Sequence, residues 1–579
     1  MKYTNKIINR GMIILMVVLV TMSSCDEDKL LNETPLDFLT TSNLYRTPDD
    51  FELASLGLYE KARDNFYAGS VNENSILKGS GSDFSYNGEN PAGTPFLSNY
   101  ATQLLPTSSI PLYFWTRGYQ IVQFANVLIA ELEATPIEDE VWEGNEAQRA
   151  ILLGEARFFR AFAYRMLVTI YGDVPYLDQP VKTVKTDFSR ADEDLIYDLI
   201  ESDFIFASQN LPGRGDESAP GRLTKATASH FLCETYIARN KFPEAIAAAN
   251  DVIDGGYSLM QARFGTQLDN DDPLLGGGDV YYDLFRYGNQ NLSENTEGIW
   301  VIQFQNDVDG GSKYDGERMW GNAYYRMGND PDGKQAIVGD NPDASSNIYL
   351  STFSRPVAWN RSTNYVAYDI WRSDWNNDIR NARHNMFRDW RYNNPDSPNW
   401  YGKKIDFVND YPIGSRNLVR DTCQYIFPFP MKAASPGIHF TDPNRSGGGT
   451  NHVDQYAVRL AETYLLRAEA HLGNGEKELA AADINVVRNR AKATPVASGD
   501  VTLDYILDER ARELYTEEWR LITLMRLNLL YDRTIMYLSN PVAAGGVGAG
   551  IQPYNNLFPI PQSEIDLNVN GELIQNEGY

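Results

Sequence analysis

Residues 225–257, KATASHFLCETYIARNKFPEAIAAANDVIDGGY, decide the fold. Ala228, Phe231, Leu232, Tyr236 and Ile237 recur at helical spacing and predict one buried face. Asn240 and Lys241 mark a break. Pro243 suits the first turn of a second helix, where a missing N–H costs nothing. Ala245, Ala248, Ala249, Val252 and Ile253 give that helix its apolar side, and Gly255-Gly256 ends it. Small residues on the facing sides let the two helices approach closely, so the stretch reads as a helical hairpin. A second hairpin runs over 458–491, VRLAETYLLRAEAHLGNGEKELAAADINVVRNRA, with Gly473-Asn474-Gly475 at its turn.

Each hairpin follows the pattern of a tetratricopeptide-type unit, which recurs about every 34 residues in tandem arrays. The two copies are far apart in sequence, so the expectation is a scaffold of scattered hairpins and not a solenoid. Further helices are predicted over 48–63, 113–133, 146–171 and 192–209, two more over 503–537, and a strand over 299–305. The fold class is mainly α: a helical scaffold (46–68, 112–257, 456–538) with a large irregular, aromatic-rich insertion. Residues 46–579 form one composite domain in this reading. The loop-rich parts are 69–111 and 259–446. Loops of that length inside a folded domain are functional or disordered, and Phe84, Tyr86, Phe96 and Tyr100 in the first favour function.

The first 24 residues read as a signal peptide. Lys2, Lys6 and Arg10 precede an apolar run over 12–20 that is too short to span a bilayer. Met22-Ser23-Ser24-Cys25 resembles a bacterial lipobox, in which Cys25 is lipidated and residues 25–45 form a tether; ordinary secretion is the alternative. Multiple acyl chains anchor stably, at about 0.8 kcal/mol per buried methylene. The net charge of -27 argues against nucleic-acid binding, which needs a basic surface. Aromatics at 12% of the chain argue against a disordered acidic protein. Cys233 and Cys423 read as buried free thiols, with a disulfide between them as the alternative.

Several ordered motifs together resemble the SusD/RagB family of outer-membrane nutrient-binding lipoproteins of Bacteroidota. They are GEARFFRAFAYRMLVTIYGDVP at 154–175, RLAETYLLRAEA at 459–470, ERAREL at 509–514, FPIP at 558–561 and QNEGY at 575–579. Glu518-Trp519-Arg520 departs from the commoner E-G-x-R. The resemblance implies a nonenzymatic cell-surface protein that captures oligo- or polysaccharide and passes it to a SusC-type TonB-dependent transporter. It also implies an outer-membrane location, with the chain lipid-anchored at Cys25. Acidic Asp26-Glu27-Asp28 resembles the signal for the outer leaflet in that phylum. The motifs themselves are expected to be scaffold, with Glu155, Arg157, Arg160 and Arg510 in buried or capping ion pairs.

Sugar recognition needs flat aromatic faces and planar hydrogen-bonders around them. Residues 355–420 hold five of the ten tryptophans, Trp359, Trp371, Trp375, Trp390 and Trp400, accompanied by Tyr365, Tyr368, Tyr392, Tyr401, Asn393 and Asn394. Candidates elsewhere are Trp320, Tyr324 and Tyr325 in MWGNAYYRMG, with Phe84, Tyr86 and Asn87 as an opposite wall. The 355–420 stretch carries eleven Lys or Arg against seven acids. Two readings stand: Arg380, Arg388 or Arg391 clamps an anionic glycan, or these arginines pair with Asp374, Asp378 and Asp389 and brace loops. Acidic runs at 269–272 and 307–310 hint weakly at calcium, without the spacing of an EF-hand. The rivals to glycan capture are peptide capture by the same kind of transporter system and a secreted glycoside hydrolase. Glycoside hydrolysis needs two carboxylates across a cleft, and no acid pair here carries a diagnostic motif; the absence of HExxH and triad-like contexts argues against metalloprotease and serine-hydrolase chemistry.

Overall fold

A computed structural model of the chain describes residues 44–68, 71–89, 97–135, 140–340, 349–437, 452–538 and 550–579. The expected signal peptide, Cys25, nearly all of the tether, and Phe96 lie outside the described residues.

The long helices are α1 (Pro48–Arg63), α2 (Ser109–Ala134), α3 (Glu146–Tyr171), α4 (Glu193–Asn210), α5 (Lys225–Ala238) and α6 (Phe242–Ile253). After the insertion come α7 (Leu460–Gly473), α8 (Lys477–Arg490), α9 (Leu503–Leu514), α10 (Arg520–Arg526) and α11 (Leu530–Tyr537). The last three replace the two helices expected over 503–537. Local chemistry sets the starts. Thr47 with Asp50 and Thr224 with Thr227 form reciprocal caps that satisfy otherwise orphaned N–H groups. Asn240 turns the chain between α5 and α6 at φ 56°, a left-handed conformation that asparagine tolerates.

The expectation of scattered hairpins is corrected in space. Helices α2 to α8 pack in sequence order, each on the next, and α6 lies directly against α7. The α6–α7 approach is close. A Cβ on Gly473 would stand 2.3 Å from the Phe242 ring, and Arg467 of α7 donates to Asn250 of α6 at 2.6 Å. The two hairpins are therefore consecutive turns of one solenoid.

This is possible because the insertion leaves and returns at the same place. Strand β2 (Gly298–Ile302) pairs antiparallel with β4 (Gln455–Arg459), and the Phe304 N–H donates to Asp454 at 2.7 Å. The preceding excursion closes where the Ser258 N–H meets the Thr296 carbonyl at 3.0 Å. Sequence separation hides this clasp, since strands pair across any length of chain.

An ionic joint, fully buried except at Glu517, ties the insertion to the scaffold. Arg380 from the insertion meets Asp378 at 2.7 Å, Glu509 at 2.8 Å and Glu513 at 3.0 Å. Arg459 meets Glu513 at 3.0 Å and Glu517 at 2.6 Å, and Arg490 meets Glu297 at 3.0 Å. Three of the four motif residues, Arg160, Glu155 and Arg510, sit in buried ion pairs as expected. Arg160 forks onto Asp203 at 2.7 and 2.9 Å, Glu155 accepts from Arg222 at 2.8 Å, and Arg510 bridges Glu518 and Glu462 at 2.7 and 2.6 Å. Arg157 reaches Glu133 at the surface, 3.1 Å away. The C-terminal motif is a strap: Asn576 donates to the carbonyls of Tyr171 and Phe558 at 2.9 and 2.7 Å.

Candidate functional site

The insertion has a hydrophobic core of its own, built from Tyr324, Phe353, Phe387, Trp390, Tyr392, Phe427 and Phe429 among others. That core absorbs several of the aromatics expected to face sugar. Tyr324 is fully buried, stacks on Trp390 at 5.2 Å and donates its hydroxyl to the Ser354 carbonyl. Trp390 donates its indole N–H to the Phe427 carbonyl at 3.2 Å. The Tyr392 hydroxyl is held by Asp410 at 2.8 Å. Trp320 and Trp371 sit in the scaffold core, Trp320 edge-on to Tyr515 and Trp371 hydrogen-bonded to the Val366 carbonyl. Tyr86 is buried against Cys423, its hydroxyl 3.6 Å from Sγ. These six rings are all packed into protein cores, although Trp390 also contributes to the wall of a cleft. Sequence reasoning found the aromatics but could not separate a second core from a surface.

The arginine expectation divides the same way. Arg380 is spent in the ionic joint, and Arg391 pairs with Asp389 at 2.9 Å; both brace loops. Arg388 differs, because among the described residues no carboxylate pairs with it. It donates to the Ala367 carbonyl at 2.7 Å and to the Asn381 side chain at 2.6 Å. Burial pushes its pKa down to about 10.

Arg388 backs the most exposed aromatic pair in this region. Tyr368 and Trp375 are 41% and 40% exposed, with ring planes 7° apart and centroids 6.3 Å apart. The Arg388 guanidinium lies 4.8 Å from the Trp375 ring and 5.7 Å from that of Tyr368. A cation held over both rings fixes their orientation and attracts their π faces. Exposed Asp369, Arg372, Ser373, Asn376 and Asn377 surround the pair with donors and acceptors. Local pattern builds this surface. Between 364 and 377, residues 365–367, 370, 371 and 374 point inward, and 368, 369, 372, 373 and 375–377 point outward. Arg372, at φ 42°, makes the kink that separates the two short helical turns. The missed feature is the pairing of Tyr368 with Trp375: the kink at Arg372 lies between them, so no helical spacing in the sequence signals it.

A second cluster forms where the early loop meets the insertion. Strand β1 (Ser85–Tyr86) pairs with β3 (Arg361–Ser362), and Asp83 is locked by Arg520 at 2.6 Å and Arg533 at 3.1 Å. The early loop thus pairs with the insertion, but Phe84, Tyr86 and Asn87, expected as an opposite wall, are all buried. Half-buried Trp359 donates to Glu89 at 3.1 Å, and Glu89 also takes Arg326 at 2.7 Å. Half-buried Tyr325 meets Tyr349 edge-on at 4.8 Å. A third feature is a cleft of about 480 Å³ beside Asp389, Trp390 and Asn393. The Asn393 amide already brackets Val338, accepting from its N–H at 2.6 Å and donating to its carbonyl at 2.8 Å.

Among the described residues no group of three or more His, Cys, Asp or Glu side chains is placed to hold a metal ion. In the 269–272 run hinted for calcium, Asp271 pairs with Arg263 at 2.7 Å and Asp272 accepts from Thr352 at 2.6 Å. Cys233 and Cys423 are buried free thiols.

Comparison with known proteins bears on this architecture. A family model described as the SusD family matches residues 296–579, and one described as starch-binding, associating with the outer membrane, matches 59–237. A SusD-like protein of Formosa agariphila is 24% identical over 98% of this chain and 99% of its own length. The starch-binding protein SusD of Bacteroides thetaiotaomicron is 40% identical over 21% of each chain. A solved laminarin-binding SusD-like protein superposes with a TM-score of 0.63 at 21% identity, over 92% of this chain and 100% of that one. A SusD homolog from Bacteroides thetaiotaomicron gives 0.66 at 18% identity, over 93% and 98%. By both halves of the sequence and by its solenoid-with-insertion fold, the chain belongs to the SusD/RagB family.

Proposed function

We propose that the protein captures an oligo- or polysaccharide at the cell surface and passes it to a SusC-type TonB-dependent transporter, without catalysis, anchored in the outer membrane through lipidated Cys25. The observation that carries the reading is the exposed, near-parallel Tyr368–Trp375 pair fixed by Arg388. Flat, pre-oriented rings suit the apolar C–H face of a pyranose, and the surrounding Asn, Asp and Arg side chains suit its hydroxyls. The Trp359–Tyr325 cluster supplies further half-buried aromatic surface in the same insertion. Relatives whose names carry starch and laminarin binding support the ligand class.

The test is affinity electrophoresis of residues 26–579 in gels containing neutral or uronic-acid polysaccharides. Covering about 60 Å² of ring at about 25 cal/mol/Å² gives about 1.5 kcal/mol, so Trp375→Ala should weaken retention of the bound polymer about tenfold. Retention that is unchanged in both Trp375→Ala and Tyr368→Ala moves the site away from this pair. A folded protein that no polymer retards, but that binds oligopeptides in a manner lost in Trp375→Ala and Tyr368→Ala, refutes glycan capture.

A further inference from the structure

An apolar hollow lies between α2 and the C-terminal segment, and its lining shares no residue with the surroundings of the aromatic pair. It has a volume of about 520 Å³, and its walls include Trp115, Tyr119, Leu177, Phe188, Leu567 and Leu573. The wall opposite α2 is firmly built. Asn568 exchanges two hydrogen bonds with Phe188, at 2.8 and 2.9 Å, and Asn570 donates to the Thr186 carbonyl and hydroxyl at 2.8 Å each.

The polar groups of the lining are largely engaged already. Gln123 uses both ends of its amide on Val181, at 3.1 and 2.9 Å. The Tyr119 hydroxyl donates to the Pro175 carbonyl at 2.8 Å, and Lys185 pairs with Asp187 at 2.7 Å. A sugar entering here would strip water from its hydroxyls and find few partners for them, which is costly. Glu564 is the exception. It lines the hollow and among the described residues pairs with no cation. Burial raises its pKa, the signature of a carboxylate that lacks a counter-charge.

The rim extends the apolar surface. Leu567, Val569 and Val184 are 68%, 75% and 96% exposed, and Leu112 stands one turn before Thr116 on the same face of α2. A ligand confined to the hollow would leave these aliphatics in water; a macromolecule seated over it would cover them.

We propose that this hollow is a second binding site, separate from the glycan surface, that seats an aromatic or aliphatic side chain of a partner polypeptide, with the lysine or arginine next to it placed on Glu564. Burial of an apolar anchor in a pocket, ringed by flatter contacts and oriented by one charge pair, is the usual anatomy of a protein-binding hot spot.

The test uses residues 26–579 and three blocked tetrapeptides, Gly-Trp-Lys-Gly, Gly-Trp-Glu-Gly and Gly-Ser-Lys-Gly, with tryptamine as the free aromatic amine. Saturation-transfer NMR reads the contact. The Trp-Lys peptide is expected to bind at least fivefold more tightly than the Trp-Glu and Ser-Lys peptides and than tryptamine. Glu564→Gln should remove the Lys preference, and Thr116→Trp, a surface change at the mouth, should abolish the signal while polysaccharide retention stays unchanged. Equal binding of the Trp-Lys and Trp-Glu peptides overturns the charge assignment. A signal unaffected by Thr116→Trp overturns the site. Tryptamine binding as tightly as the peptide overturns the polypeptide partner in favour of a small aromatic amine. Melting temperatures of both variants within 2 °C of the parent establish that loss of signal is not unfolding.

Discussion

Glu513→Ala tests the ionic joint most directly. The Glu513 carboxylate lies 3.0 Å from Arg459, 3.0 Å from Arg380 and in contact with Arg490, with no side-chain exposure at any of the four. Burial alone would raise its pKa, but the charges of Arg490, Arg459, Arg380 and Lys432 outweigh burial and hold it down at about 2. Removing one partner of a buried pair costs about 3–5 kcal/mol. Each guanidinium keeps another acid: Arg459 has Glu297 and Glu517, Arg490 has Glu297, and Arg380 has Asp378 and Glu509. The lower end, about 3 kcal/mol, is therefore expected. Unfolding entropy near 2.1 cal/mol/K per residue amounts to about 1.1 kcal/mol/K over the folded chain, so the melting temperature should fall about 3 °C at pH 7. Differential scanning calorimetry measures it, with Glu513→Gln intermediate. The pH dependence has a fixed sign. A carboxylate whose folded pKa is depressed stabilises above its unfolded pKa, near 4.3, and loses that stabilisation as pH falls through about 2. The gap between parent and variant should thus narrow below pH 4. A variant that melts with the parent at pH 7, or a gap that widens in acid, refutes the joint as a stabilising element.

Trp390→Ala should destabilise by about 3–5 kcal/mol, because it empties the insertion core, and any loss of ligand retention should track unfolding; Trp375→Ala should do the reverse, losing retention with little change in melting temperature. Burial raises the pKa of Asp454 to about 6 despite hydrogen bonds from Phe304 and Asn291. Its folded pKa is the higher one, so stability declines as pH rises from about 4 through 6, and Asp454→Asn should gain melting temperature relative to the parent at pH 8 more than at pH 4. Residues 26–579 should show no fast thiol reaction with a disulfide reagent when native and two reactive thiols when unfolded, since both cysteines are buried and burial pushes the Cys233 thiol up; a single fast thiol in the native state would contradict the burial.

The scaffold was legible because its signals are local. Helical spacing and caps located α1, α3 and α4 to within a residue or so, and the two hairpins to their turns. The solenoid was not legible, because the clasp between β2 and β4 joins residues more than 150 positions apart through backbone bonds that carry no side-chain code. In the insertion, composition identified the right region. It could not sort Trp375 from Trp371, four residues away, since both stand in a run of short turns and only tertiary packing decides which ring meets solvent. The arginine surplus misled for the same reason: Arg380 and Arg391 have acids close by in sequence or brought close by the fold, whereas Arg388 is held by carbonyls, which no count of charges reveals.

The clasp has an evolutionary reading. Because the long excursion begins and ends on neighbouring strands, its length and content can change without moving either helix that flanks it, much as a cassette changes in a fixed holder. Loop-closure entropy grows only logarithmically with length, so even large replacements cost little. What a replacement must retain includes the plug, Asp378 and Arg380, that meets the socket of Glu509 and Glu513 on α9, and the rings, such as Trp320 and Trp371, that the excursion lends to the scaffold core. Ligand preference in such a protein can therefore turn over wholesale, while the solenoid persists almost untouched.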